Sequence, residues 1–261
     1  MARFCSLFSS SSGNCAYIGS ASGGILIDAG VSAKRMQQAL WDIGVDAASI
    51  AAIFVTHEHS DHISGLRVFA SRHHAPVYAT AGTLAALEEK DILNGDFAAR
   101  VIEPNGTEIC GMLVKSFRTS HDCREGVGFA VTMPDQKSIA AVTDSGVVTD
   151  EMLDAVTGCD LVMLESNHDI HMLQNGNYPY QLKRRILSDR GHLSNDCCAQ
   201  TAVRLIENGT TRLVLAHLSH ENNFPQLAYE TTKSTLAQAG AQVDSDYLLS
   251  VAGGESTVIG F

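Results

Sequence analysis

No apolar run in this chain of 261 residues approaches the roughly 20 positions that a helix needs to cross a bilayer, so a membrane-spanning helix is not expected. The opening Met1-Ala2-Arg3-Phe4-Cys5-Ser6 also lacks the longer apolar stretch of a signal peptide, and the expected location is the cytoplasm. Cysteine pairs in ligand spacing are missing too. The seven cysteines are an odd number, scattered singly except for Cys197-Cys198, with no C-x-x-C, which argues against a disulfide framework and against a cysteine-held zinc. Positive charge is short: 18 Lys and Arg face 29 Asp and Glu, and the formal net charge of -11 has the wrong sign for gripping a polyanion by bulk electrostatics. Linkers, low-complexity tracts and recognisable repeats are absent, so a single domain over 1–261 is expected. Its 45% hydrophobic content is enough for a substantial core.

What the chain does have is Thr56-His57-Glu58-His59-Ser60-Asp61-His62, directly after the apolar run Ile53-Phe54-Val55. In an extended stretch, side chains at i and i+2 point the same way, so His57 and His59 can grip one cation. Where the chain turns into a helix, Asp61 and His62 swing toward a second position, the arrangement of a two-metal site that activates water. A crowd of imidazoles and a carboxylate is hard to hold together without a cation.

Further donors end other strand-length apolar runs. Asp28 follows Gly24-Ile25-Leu26-Ile27, Asp144 follows Ile139-Ala140-Ala141-Val142-Thr143, and His217 follows Leu213-Val214-Leu215-Ala216. His121 sits in Thr119-Ser120-His121-Asp122. A carboxylate after a strand is often only a turn or helix cap, but the recurrence argues against that here, and all of these residues could meet along one edge of a sheet assembly.

In this order the residues resemble the metallo-β-lactamase superfamily over most of the chain. The resemblance implies an α/β fold, the four-layer αβ/βα sandwich, and two divalent ions, Zn²⁺ or Mn²⁺. It implies that His57, His59 and His121 hold one ion and Asp61, His62 and His217 the other, that Asp144 bridges them, and that Asp28 steadies the loop from behind. His59 stands where the oxygen-reducing members carry a carboxylate, and Asp144 where the best-known antibiotic-hydrolysing members carry a cysteine, so neither activity is expected.

Glu165-Ser166-Asn167-His168-Asp169 and Gly191-His192-Leu193-Ser194-Asn195 narrow the resemblance to nuclease branches, in which a carboxylate orients a histidine that protonates the leaving oxygen. Glu165 and His192 match that pair, or else they cap neighbouring elements. His168 is a further candidate beside Glu165. With Ser11-Ser12-Gly13-Asn14-Cys15, Tyr178-Pro179, Leu182-Lys183-Arg184-Arg185-Ile186 and His217-Leu218-Ser219, these tracts are similar to the YycJ/WalJ-type family of double-stranded DNA 5′→3′ exonucleases. Only 73 positions separate Asp144 from His217 and 21 separate Asp144 from Glu165, too few for a β-CASP insertion or a tRNA-binding arm.

The implied substrate is DNA at duplex ends. Ser11, Ser12 and Asn14 can cradle a phosphate or simply form a loop, and Lys183, Arg184 and Arg185 can contact DNA or simply be solvated. Part of the negative charge lies among the donors themselves, where divalent cations offset it. The implied chemistry is metal-assisted hydrolysis in which Asp61 orients or deprotonates the water and His192, backed by Glu165, protonates the departing 3′-oxygen. The alternatives are a ribonuclease, or a hydrolase of a small phosphodiester, thioester or lactone, which the acidic composition favours. Oligomeric state is not legible.

Patterning predicts helices over 32–43, 62–72, 83–90, 149–156, 180–189, 195–208 and 225–239. It predicts strands over 50–55, 76–79 and 126–131.

Overall fold

The computed structural model describes residues 2–20, 22–253 and 258–260. Met1, the head of the segment read for a leader, lies outside them. The chain divides into two compact units, one made of residues up to 116, 123–137 and from 253 onward, the other of 117–122 and 138–252.

The first unit opens with β1 (Arg3–Phe8), β2 (Cys15–Ser20) and β3 (Gly23–Ile27), paired antiparallel, then α1 (Ala33–Asp42) and β4 (Ile50–Phe54). After α2 (Ser60–Ile63) and α3 (Leu66–His73) come β5 (Val77–Ala79), α4 (Ala81–Glu89) and β6 (Ala99–Val101), and β3 to β6 run parallel. The two-residue strand Ile259–Gly260 joins the far side of β1. Three further strands, β7 (Thr107–Ile109), β8 (Met112–Arg118) and β9 (Val127–Thr132), lie as neighbours in that order.

The core of this unit packs Leu26 and Ile53 from the strands, with Val55 just after β4, against Met36, Leu40, Leu66 and Phe69 from α1 and α3. Burying a side chain of this size stabilises by about 1.5–3 kcal/mol. Phe54 stacks on Tyr78 at 5.0 Å and meets Phe129 edge-on at 5.6 Å, anchoring the strand that feeds the histidine loop.

The helix expected over 62–72 is instead two helices. Gly65 approaches the backbone of Val31 so closely that a Cβ there would lie 1.9 Å from the Val31 carbonyl, and its N–H donates to Ala29 O at 2.9 Å. The break lets Asp61 and His62 face one way while α3 packs its own apolar side.

In the second unit β10 (Ser138–Val142), α5 (Asp150–Val156), β11 (Leu161–Glu165), α6 (Ile170–Asn175) and α7 (Tyr180–Ile186) precede α8 (Asn195–Glu207), β12 (Arg212–Ala216), α9 (Pro225–Gln238) and β13 (Leu248–Val251). Strands β10, β11, β12 and β13 are parallel and in register, Val142 opposite Leu164, Leu164 opposite Leu215 and Leu215 opposite Val251. Every residue of β11 is buried, an apolar run Leu161-Val162-Met163-Leu164 typical of a parallel strand covered on both faces, ending in the buried Glu165. The ladder brings the C-terminal ends of β10, β11 and β12 together and so aligns the residues at and just beyond them. Thr149, Asp169 and Ser194 cap α5, α6 and α8 by accepting from the third helical N–H.

Helix α7 stops at Ile186 rather than 189, because the chain turns back at Gly191, whose N–H donates to Ser188 O. Among the described residues no helix is long and apolar enough to cross a membrane.

Candidate functional site

In the first unit the turn between β4 and α2 gathers its histidines as its spacing predicts. The His57 ring centroid lies 4.5 Å from that of His59 and 4.2 Å from that of His62. Behind them Asp28 accepts from the Thr56 N–H at 2.8 Å, from the Thr56 hydroxyl at 2.9 and 3.0 Å, and from His62 Nδ1 at 2.7 Å. That arrangement fixes protons. The Thr56 hydroxyl gives its one hydrogen to Asp28 and so must accept from His57 Nδ1 at 3.0 Å. Both imidazoles thereby carry hydrogen on Nδ1 and a lone pair on Nε2, the atom that can bind a cation. Asn14 confirms the tautomer of His62, since its amide donates to His62 Nε2 at 3.0 Å, and it also reaches Asp61 Oδ2 at 3.3 Å. Asn14 is buried and braces the loop, while Ser11 and Ser12 remain exposed. On the outer side Glu58 pins the turn by accepting from Arg124 N–H at 2.8 Å and, through its carbonyl, from Lys90 Nζ at 3.0 Å.

In the second unit the strand ends deliver Asp144, Glu165 and His217, and the loop before α8 delivers His192. One ligand-type atom from each lies within 4.8 Å of the others. Glu165 is fully buried and saturated. Its Oε1 accepts from His192 Nδ1 and from His217 Nδ1, each at 2.8 Å, and its Oε2 accepts from the N–H groups of Ser145 at 3.0 Å and Leu193 at 3.2 Å. Burial would push this carboxyl up, but the His192 charge and hydrogen bond and the His217 hydrogen bond reverse that and hold it down to about 2. Burial likewise pulls His192 down, and the Glu165 charge and hydrogen bond with the Asp144 charge outweigh it, so its pKa is raised. His121 donates from Nδ1 to Gly191 O at 2.9 Å, and burial, against the opposing charge of Asp144, lowers its pKa, which keeps the ring neutral.

The donor set fits divalent cations. His57, His62, His121 and His217 each donate from Nδ1 to an acceptor, so the lone pair is on Nε2, the tautomer that a metal ligand needs; in His62 that nitrogen accepts from Asn14. The four-atom convergence in the second unit is therefore a hydrogen-bonded network, with its cation-binding nitrogens on the opposite sides of the rings. Asp28, Asp144 and His217 adopt left-handed backbone, with φ of 62°, 59° and 57°, the turn that lifts a side chain off the end of its strand.

His168 is buried, and among the described residues its ring nitrogens have no hydrogen-bond partner. Burial pushes its pKa down to about 4, with the Glu165 charge only partly opposing. Of the basic side chains expected to meet a substrate, Lys183 donates to Gln174 O at 2.8 Å, and Arg185 is paired with both oxygens of Asp122, Nη2 to Oδ1 at 3.0 Å. Arg184 lies over the Tyr180 ring at 5.9 Å.

Residue-by-residue reading missed Thr56, which sets a tautomer, and the double duty of Glu165. It also missed a buried amide pair. Asn195 Nδ2 donates to Asn223 Oδ1 at 3.0 Å and Asn223 Nδ2 to Asn195 Oδ1 at 2.8 Å, with Ser166 and Asn167 joined to it. The only sequence signal for that pair was its place beside His192 and His217.

Residues 24–218 match the family model described as a beta-lactamase superfamily domain. The chain is 38% identical over 248 residues to the exodeoxyribonuclease WalJ of Streptococcus pneumoniae serotype 2, covering 94% of this chain and 92% of that one. It is 37% identical over 242 residues to the exodeoxyribonuclease YycJ of Bacillus anthracis, covering 91% and 90%. Among solved structures, the metallo-β-lactamase fold protein YhfI of Bacillus subtilis superposes with a TM-score of 0.74 at 16% identity, covering 99% of this chain and 98% of that one.

Proposed function

The chain belongs to the beta-lactamase superfamily, and within it to the family of the WalJ and YycJ exodeoxyribonucleases, and on that premise we propose that it is a 5′→3′ exonuclease of double-stranded DNA. Its fold class is α/β, the αβ/βα sandwich of that superfamily. It works as one catalytic domain, without a β-CASP insertion.

The observation that carries the reading is the Glu165–His192 pair. A phosphodiester expels an alkoxide, a poor leaving group until it is protonated, and a buried carboxylate holding Nδ1 of an imidazole turns the other ring nitrogen toward substrate as the acid. Thioesters and lactones need no such group.

His57, His59, Asp61, His62, His121, Asp144 and His217 would hold two divalent ions, Zn²⁺ or Mn²⁺. When bound, these supply polarised water and positive charge for the phosphoryl oxygens. Asp61 would orient or deprotonate the attacking water. Glu165 keeps His192 in one tautomer and raises its affinity for the second proton, which passes to the departing 3′-oxygen. Asp28 and Thr56 hold His57 and His62 in the ligand tautomer.

The test is digestion of a linear duplex labelled separately at each end, with Mn²⁺ or Zn²⁺ added, by wild type and by Asp61→Ala. Mononucleotide release from the 5′ end by wild type alone supports the reading. No release from DNA in either metal, with metal content confirmed, turns it to RNA and then to small esters.

A further inference from the structure

Helix α7 is a cationic stretch in an acidic chain. Tyr180-Gln181-Leu182-Lys183-Arg184-Arg185-Ile186 carries three cations and no carboxylate, against a net charge of -11 for the whole. The three cations differ in what they do. Lys183 is tied to the Gln174 carbonyl and Arg185 to Asp122, so both hold the helix to its own unit. Arg184 instead reaches back one turn to Tyr180, its guanidinium 5.9 Å from the ring centroid, within cation–π range. Tyr180 is 73% exposed, the most exposed large aromatic or aliphatic side chain in this unit.

A solvent-facing ring beside a guanidinium is chemistry suited to one kind of partner. The flat face accepts a nucleobase of any sequence, and the cation meets the neighbouring phosphate. Charge complementarity favours a polyanion over an acidic protein surface, because the ring needs a flat π-partner as well as an anion.

The position of the helix ties this pair to the reaction. His192 N–H donates to Ile186 O at 3.1 Å, and Gly191 sits so close that a Cβ there would lie 2.1 Å from Ile186 O and 2.4 Å from Arg185 O. The helix end and the proposed acid are thus one rigid piece. Tyr180 stands six residues up the axis from Ile186, about 9 Å at 1.5 Å per residue. That is between two and three base steps of about 3.4 Å.

We infer that Tyr180 and Arg184 form a stacking platform for an unpaired nucleobase two or three nucleotides from the scissile phosphate, an inference that rests on the nuclease reading above. The full-length, metal-loaded protein is assayed with bis(p-nitrophenyl) phosphate, which has no base, and with a duplex carrying 2-aminopurine as the third nucleotide from the 5′ end. Tyr180→Ala should lower the ratio of DNA to diester kcat/KM about 5- to 140-fold, the range of one lost base–aromatic stack. The same variant should lose the stacking quench of 2-aminopurine, and Tyr180→Phe, which keeps the ring, should retain both. Arg184→Ala should make the slope of log affinity against log salt shallower by about one. Wild-type exonuclease activity with an unchanged ratio in Tyr180→Ala overturns the platform alone. A wild type that hydrolyses the diester but no DNA overturns the nuclease reading, and the platform with it.

Discussion

In the first unit, His57, His59, Asp61 and His62 lie on one turn between β4 and α2, whereas in the second Asp144, Glu165, His192 and His217 come from four segments whose extremes are 73 positions apart. Each cluster has its own buried carboxylate behind it, Asp28 in one and Glu165 in the other. The difference is in what those carboxylates hold. Asp28 serves one imidazole directly and a second through Thr56, inside a turn whose geometry is local. Glu165 holds two imidazoles on one oxygen and two backbone amides on the other, so it also fastens separate loops to one another. A local motif survives small changes elsewhere, while a convergent one depends on the register of the strands that converge.

The sharpest way to break the comparison is Glu165→Gln. The amide has one acceptor oxygen where the carboxylate has two, so it cannot serve both the imidazole pair and the Ser145 and Leu193 N–H groups, and it lacks the charge that favours protonated His192; kcat on duplex DNA should fall about 10³- to 10⁴-fold, combining loss of an acid with loss of a ligand's support. Steady-state kinetics together with metal content decide it, and a loss under tenfold would mean Glu165 is only a structural cap. Asp28→Asn should cost less, about 10- to 100-fold in metal affinity, read by competition with a chromophoric chelator. An equal or larger effect there would erase the contrast between the units.

Asn195→Leu and Asn223→Leu should each destabilise by about 1–3 kcal/mol, since each removes both hydrogen bonds of the buried pair and leaves the surviving amide short of partners. The double variant should be less damaging than the sum in denaturant melts, and strict additivity would show that the two amides are not coupled.

The smallest effect concerns His168. Its folded pKa of about 4 lies below the ordinary 6.5, so the unfolded chain binds the proton first, and the stability present above pH 6.5 is lost as pH falls toward 4. Between pH 7 and pH 6 the loss should stay under about 1 kcal/mol. His168→Gln should flatten that slope in melts across the range.

The same contrast decides how much was legible in the sequence. The clustering of His57 to His62 was readable because the histidine spacing is written in nearly consecutive residues, and the strand-end placement of Asp28, Asp144 and His217 was readable because each comes after an apolar run that becomes β3, β10 or β12. Helices 32–43 and 195–208 were found close to their bounds by their patterning, and the structure shows Ser32 and Ser194 capping them. Short or exposed strands escaped. All of β6 faces solvent, so no burial pattern marks it. The tautomer-setting role of Thr56, the two-sided grip of Glu165 and the Asn195–Asn223 pair escaped for another reason. Each depends on which atoms meet across loops, and residue type alone does not specify that.

The left-handed backbone at Asp28, Asp144 and His217 has a consequence for how this protein changes under selection. A residue with a Cβ costs about 1 kcal/mol or more in that conformation, and glycine would relieve it. Variants chosen for thermal endurance alone should drift toward glycine or asparagine at these three places and become better folded as they lose the side chains proposed to hold or steady the metal ions.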